Sequence, residues 1–232
     1  MTSVGVVIPT LNEAWNLPSL INDLRRLDPP PTIMVSDGGS VDETVAIAQS
    51  AGVLTVDTAS GRGPQMNAGA AALDTPWFCF LHGDARLPVR AREDLSRVVQ
   101  GGGGGPDAAV WRLRIDAEGW RFRTIERGAW LRDRIAGLPY GDQGLLVRRA
   151  LFVEAGGFPE IPIMEDVALI RKLRRLTGVH RFPSEIKVSA RRWEREGAFR
   201  TWLRNSLLIA AYSCGVSPHR LARWYPAERY EV

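Results

Sequence analysis

The chain has 232 residues, 45% apolar and 24% charged, which is enough to bury one sizeable core and too apolar for lasting disorder. The net charge of +4 is unevenly spread: residues 1–85 carry three Arg against nine acids, while residues 171–232 carry 14 basic groups against five acids. Two cysteines, Cys79 and Cys214, exclude a disulfide framework and a zinc ribbon, and their apolar neighbours predict two buried thiols in a reducing compartment. No apolar run approaches the ~20 residues that span a bilayer. Met1-Thr2-Ser3 shows no basic leader with a cleavage site, so the expectation is a soluble, cytoplasmic protein.

Val4-Gly5-Val6-Val7-Ile8 reads as a strand buried on both faces. Leu17, Leu20, Ile21 and Leu24 recur at helical spacing between Ala14 and Leu27, and Pro29-Pro30-Pro31 stops that helix. A second strand is predicted from Thr32 to Val35, a helix from Asp42 to Ala51 and a third strand from Val53 to Val56. A helix from Pro64 to Leu73 and a fourth strand from Trp77 to Leu81 follow. Strand–helix alternation with short connections implies right-handed crossovers and a parallel sheet. The second half is less regular. A helix is predicted from Pro88 to Val99, a loop at Gly101 to Gly105, and a half-buried strand from Trp111 to Ile115. An Arg-rich helix from Trp120 to Ile135 and a short strand from Gly144 to Val147 come next. A helix from Glu165 to Leu176, a last strand from Ile186 to Ser189 and a final helix from Phe199 to Cys214 complete the chain. Trp111, Trp120 and Trp130 read as core and helix packing.

In an open parallel sheet, ligands bind beyond the carboxyl ends of the strands. Those ends carry Pro9-Thr10-Leu11-Asn12-Glu13, Ser36-Asp37-Gly38-Gly39-Ser40, Ser60-Gly61-Arg62-Gly63 and His82-Gly83-Asp84. No G-x-G-x-x-G follows the first strand and no G-x-x-x-x-G-K-[ST] occurs, which argues against a dinucleotide dehydrogenase and a P-loop NTPase. Instead, Asp37 can accept hydrogen bonds from a base or ribose. Arg62 between glycines can approach a phosphate closely. His82 and Asp84, placed on one face of an extended strand end, can hold a divalent metal that bridges a diphosphate.

These residues resemble the family 2 glycosyltransferases of the GT-A fold. The resemblance rests on Val7 to Glu13, Val35 to Thr44 and His82-Gly83-Asp84. It continues through Gly141-Asp142-Gln143-Gly144 to Arg149, Gly156-Gly157-Phe158-Pro159-Glu160 and Met164-Glu165-Asp166. Each motif is weak alone; in order they are specific, over roughly residues 4–195. Within the family the chain looks like the small single-domain branch of selenium- or radical-SAM-associated transferases. The resemblance implies an α/β, Rossmann-like, mostly parallel sheet flanked by helices. It implies a GT-A domain over 1–195, with a nucleotide-binding half at 1–87 and an acceptor half at 88–195. Residues 196–232 form a helical extension packed on the domain or across a homodimer.

The resemblance also assigns roles. Pro9, Thr10, Asn12, Glu13, Asp37, Gly38, Gly61, Arg62, Asn67, His82, Gly83 and Asp84 surround a nucleotide-diphosphate sugar, expected to be uridine-linked. Asp84, with His82 in place of the first acid of D-x-D, holds Mn²⁺ or Mg²⁺. Asp166 removes the proton of the acceptor hydroxyl in an inverting transfer. Glu165, Arg192 and Trp193 lie on the acceptor or diphosphate side. Ser189 to Trp193 is similar to the Q-x-x-R-W motif of processive synthases, but Ser189 replaces Gln, and no polymerase is inferred.

Plainer readings exist for several of these residues. Asp37 can cap the turn before the second helix. Glu13, Glu165 and Asp166 can serve as first-turn helix acids. Gln65 and Asn67 can simply cap their helix. Two other functions fit parts of the pattern. A sugar-phosphate nucleotidylyltransferase lacks its Gly-rich basic signature here. A non-catalytic protein could use the basic tail on anions or a membrane surface. Nucleic acid is not expected, because no basic–aromatic module appears. The basic tail instead suits a small-molecule or lipid-linked acceptor of anionic character, with peripheral membrane contact as a further option. The final helix is apolar nearly all round after Leu207, which favours packing on the body or a second copy over lying on a membrane.

Overall fold

The structure is a computed structural model and describes residues 3–101, 105–137 and 141–225, with the side chains of Ala136, Gly141 and Arg192 outside the description. Most of the five-glycine run expected as a loop therefore lies outside the described residues. The chain runs β1 (Val4–Thr10), α1 (Leu17–Arg25), β2 (Thr32–Asp37), α2 (Thr44–Ser50), β3 (Leu54–Asp57), α3 (Arg62–Ala71) and β4 (Trp77–Phe80). It continues β5 (Ala85–Arg86), α4 (Val89–Gln100), β6 (Ala108–Ile115), α5 (Trp120–Ala136), a 3₁₀ turn (Gly141–Gln143), β7 (Leu145–Arg148) and α6 (Arg149–Glu154). The last elements are α7 (Glu165–Leu176), β8 (His180–Val188), α8 (Arg191–Glu196), α9 (Ala198–Ser213) and α10 (Pro218–Ala222).

The eight strands form one sheet in the order β3-β2-β1-β4-β7-β6-β8-β5. β1 pairs in parallel with β2 and β4, β2 with β3, and β6 with β8. Only β7 and β5 run against their neighbours. The carboxyl ends of β1, β2, β3, β4, β6 and β8 therefore share one edge. The chain steps from β1 outward to β3 and then returns to β4 on the other side of β1. The switch between β1 and β4 opens the crevice in which such sheets bind ligands.

Alternation along the central strands builds two apolar layers. Val6 and Ile8 of β1 with Trp77 and Cys79 of β4 face α1, α4 and α5, where Leu17, Leu20, Leu95 and Ile125 meet them. Val7, Phe78 and Phe80 face α3, α6 and α7, where Met66, Phe152, Leu169 and Ile170 complete the second layer. Burying each such Leu or Ile stabilises the fold by roughly 1.5–3 kcal/mol. The C-terminal helices add a smaller cluster in which Leu208, Ile209 and Leu221 meet Ile163, Met164 and Val167.

Several expectations are corrected. β8 begins at His180, six residues earlier than predicted, because Pro183 masked the pattern. The register of β6 on β8 shifts between Val110 and Arg112, and that irregularity accommodates a residue with no N–H to donate. Of Trp111, Trp120 and Trp130, all expected to pack, only Trp111 is core; Trp120 is 74% exposed and Trp130 40%. Cys79 is buried, and burial pushes its thiol pKa up, but Cys214 is exposed. His82 and Asp84 do not continue an extended strand. They lie in a tight turn closed by the Ala85 N–H donating to the His82 carbonyl, at 3.0 Å. The short β5 after that turn is anchored by Arg86, whose Nε and Nη2 grip both Asp23 carboxylate oxygens of α1, at 2.6 and 3.1 Å.

Candidate active site

A cleft of about 460 Å³ opens at the shared strand edge. That volume suits a ligand of nucleotide-sugar size. Pro9, Thr10 and Glu13 after β1, Gly61 and Arg62 at α3, and His82, Gly83 and Asp84 after β4 line one wall. Asp142, Asp166, Arg191, Trp193 and Arg195 line the other, with Asn205 and Leu208 of α9 and Tyr225 at its far end. Ten of the residues singled out in the sequence thus meet in one cavity: Pro9, Thr10, Glu13, Gly61, Arg62, His82, Gly83, Asp84, Asp166 and Trp193.

Asn12, Asp37, Gly38 and Asn67 support this wall from behind and do not line the cleft. The Asp37 carboxylate accepts four hydrogen bonds from the chain itself, from Thr10 Oγ1, the N–H groups of Gly39 and Ser40, and Ser40 Oγ, at 2.5–2.9 Å. Asn12 sits at φ 56°, accepts from the Val41 N–H and donates its own N–H to Ser40 Oγ. Gly38 donates its N–H to the Thr10 carbonyl. Gln65 is no cap: its buried Nε2 donates to the carbonyls of both Thr10 and Ser36, at 2.7 and 2.8 Å, and locks the ends of β1 and β2 together. Asn67 pairs with the Phe158 peptide through both ends of its amide, at 2.8 and 3.0 Å. Glycine is required at 83, where a Cβ would stand 2.8 Å from Glu13 Cγ, so the turn after β4 passes directly under the residue after β1.

The opposite wall is set by Met164, a non-glycine residue at φ 70° that starts α7. Its conformation places Glu165 and Asp166 in the first turn, where the helix dipole favours negative charge. Asp166 lines the cleft, whereas Glu165 is only 1% exposed and sits behind it, against a small cavity shared with His82 and Phe158. Arg62 Nε lies 2.8 Å from Glu165 Oε1. The guanidinium and this buried carboxylate form an ion pair that joins the two walls. Burial, more than the opposing pull of Arg62, pushes the Glu165 carboxyl well above the usual range. Arg192 belongs to α8, but its side chain lies outside the described residues.

Asp142 carries no role in the sequence reading, yet it stands in the cleft. β7 runs against β4, with Leu145 opposite Phe80, so the entry of β7 and the exit of β4 share the ligand edge. Asp142 precedes its strand instead of following one, and its signal in the sequence is the Gly141-Asp142-Gln143-Gly144 run. Burial first, and then the charges of Asp166 and Asp84, push the Asp142 carboxyl up to about 6, against the pull of Arg132 and Arg62. Its Oδ1 is buried without a hydrogen-bond partner.

Among the described residues, no three metal-ligating side chains form a ready-made cage. Asp84 and the unpartnered oxygen of Asp142, lining the same cleft, fit the other mode, in which Mg²⁺ or Mn²⁺ takes one or two carboxylates and completes its shell with phosphate oxygens and water.

An open α/β sheet with its ligand cleft at the switch point defines a nucleotide-binding class of fold. The family model described as glycosyl transferase family 2 matches residues 5–143, and the chain belongs to that family. The fold is similar to that of S. aureus TarS 1–349, at TM-score 0.63 and 14% identity, over 93% of this chain and 66% of that one. It is similar to the TarS 1–349 complex with UDP-GlcNAc at TM-score 0.62 and 15% identity, over 81% and 58%. It is also similar to glucosyl-3-phosphoglycerate synthase from Mycobacterium tuberculosis, in complex with Mn²⁺, UDP and phosphoglyceric acid. There the TM-score is 0.65 at 20% identity, over 93% of this chain and 79% of that one. The chain thus spans just under two thirds of TarS 1–349, and these likenesses carry the fold. Among the described residues, no helix is long and apolar enough to cross a membrane.

Proposed function

We propose that the cleft binds a nucleotide-diphosphate sugar, uridine-linked, and transfers the sugar to an acceptor hydroxyl by a single inverting displacement. The observation that carries this reading is that Asp84 and Asp166 line one cleft from opposite walls, in a chain of this family. Asp166 accepts the acceptor proton as the acceptor oxygen bonds to the anomeric carbon. The bond from that carbon to the diphosphate breaks, and the nucleoside diphosphate leaves. Asp84, with His82 and Asp142, would hold the divalent metal, which supplies charge neutralisation for the leaving diphosphate. Arg62 steadies the phosphates, and Pro9, Thr10 and Glu13 bound the nucleoside. UDP and Mn²⁺ in complexes of the similar structures support the choice of donor and ion.

Arg191, Arg195 and Trp193 on the far wall favour an anionic acceptor, small or lipid-linked. Residues 1–87 act as the donor half and 88–195 as the acceptor half, with 196–232 as an extension. The narrower likeness to the small selenium- or radical-SAM-associated branch belongs to the same proposal, as does a cytoplasmic location. The deciding experiment is a thermal-shift series with nucleoside diphosphates and their sugars, with and without Mn²⁺ or Mg²⁺. Stabilisation by a uridine diphosphate is expected; no shift with any nucleoside diphosphate would overturn the reading.

A further inference from the structure

α5 and α9 expose large apolar side chains away from the cleft, among them Trp120, Leu131, Ile135, Phe199, Leu203 and Leu207. The open stripe of α5 runs through Trp120, Thr124, Arg127, Leu131, Arg134 and Ile135 at helical spacing. Trp120, Leu131 and Ile135 are 74%, 51% and 77% exposed. Both acids of α5 are turned away from it: Glu126 holds Arg114 and Arg123, and Asp133 accepts from Arg181. α9 has no acid, exposes Phe199, Leu203 and Leu207 on successive turns, and sets Arg200 beside them. The helices are joined through Trp202, whose ring lies against Gly128 of α5 and packs on Phe199 with centroids 5.7 Å apart.

We propose that this α5–α9 face docks on an anionic lipid surface. Arg127, Arg134 and Arg200 meet the head groups, and Trp120, Ile135, Phe199 and Leu207 enter the boundary between head groups and acyl chains. Charge selects this occupant over a second copy of the chain. A two-fold pairing of the face presents the same patch from both sides, so arginines meet arginines with no acid on either stripe to answer them. The contact lies in the plane of the interface, because no described helix can span the bilayer. The inner side of α9 places Asn205 and Leu208 in the cleft, so docking brings the far end of the cleft beside the lipid. The surface stands independently of the donor chemistry, and its test needs no transfer activity.

The full chain is floated with vesicles of phosphatidylcholine alone and of phosphatidylcholine with an equal part of phosphatidylglycerol. Binding is expected only to the anionic vesicles, and it should vanish near 1 M salt, where the Debye length is about 3 Å. Arg127→Ala with Arg134→Ala should weaken binding roughly 25-fold, about fivefold per arginine. Trp120→Ser with Ile135→Ser should weaken it by the same factor at each lower salt concentration where binding is seen. All four positions are exposed, so unchanged melting temperatures are expected and verify the fold. Absence of binding to anionic vesicles, or binding untouched by both pairs, overturns the proposal. So does light scattering that shows a dimer which these substitutions convert to monomer.

Discussion

The two walls of the cleft are built in opposite ways. On the wall made by β1, β2 and α3, polar side chains are spent on the chain itself: four hydrogen bonds into Asp37, two from Gln65, two at Asn67. On the facing wall, Asp142 keeps a buried oxygen with no partner, and the burial of Glu165 outweighs the pull of Arg62 on its charge. Satisfied networks rigidify, whereas under-satisfied buried charge raises the energy of the ionised form. The first wall therefore supplies fixed shape, and the second supplies electrostatic potential awaiting a ligand.

Four substitutions probe that contrast, from the largest expected effect down. Asp166→Ala should lower the transfer rate by roughly 10²–10⁴-fold, the usual worth of a general base, while nucleotide-induced thermal shifts persist. Equal loss of both would move Asp166 from chemistry to binding. Gln65→Ala removes two buried hydrogen bonds, although the Thr10 carbonyl keeps its bond from the Gly38 N–H, and should destabilise the fold by about 1–3 kcal/mol in denaturant titration, at roughly 0.5–1.5 kcal/mol per hydrogen bond. A change under half a kcal/mol, roughly the level of an ordinary surface substitution, would show that the first wall is not fixed by this clamp. Asp142→Asn should reduce the extra thermal shift that Mn²⁺ or Mg²⁺ adds to a nucleoside diphosphate, by about tenfold in apparent affinity, and leave metal-free binding almost intact.

The smallest effect concerns pH. Glu165 titrates higher in the fold than in the unfolded chain, so the folded state holds its proton longer. Its contribution is complete below the ordinary glutamate value of 4.5 and is lost as pH rises through the raised value. Melting temperature should therefore fall from about pH 5 to pH 8, and Glu165→Gln should flatten part of that fall. An unchanged slope would mean that Arg62 neutralises Glu165 fully.

The first wall was legible in the sequence because its elements follow one rule, in which strands exit at one edge and polar residues stand after them. The same rule could not distinguish a side chain that lines a cleft from one that braces it. Asp37 and Asp84 look alike on paper, and only the neighbouring hydroxyl and amide donors set Asp37 behind the wall. Asp142 was hidden by strand direction, since its place at the edge depends on β7 running backwards beside β4. The early start of β8 was hidden by Pro183, and exposed Trp120 by the general expectation that tryptophan is interior. α8 was hidden by its charge, because Arg191 to Glu196 holds only one apolar residue and shows no periodicity.

Helix α3 connects the two walls mechanically. Arg62 reaches over to Glu165, Asn67 grips the peptide of Phe158, and between them Gln65 holds the ends of β1 and β2. A lever with three attachments within six residues has little slack. A shift of the segment before α7 pulls on the same helix that sets the position of Thr10, so the spacing between the walls is held by one rigid strut.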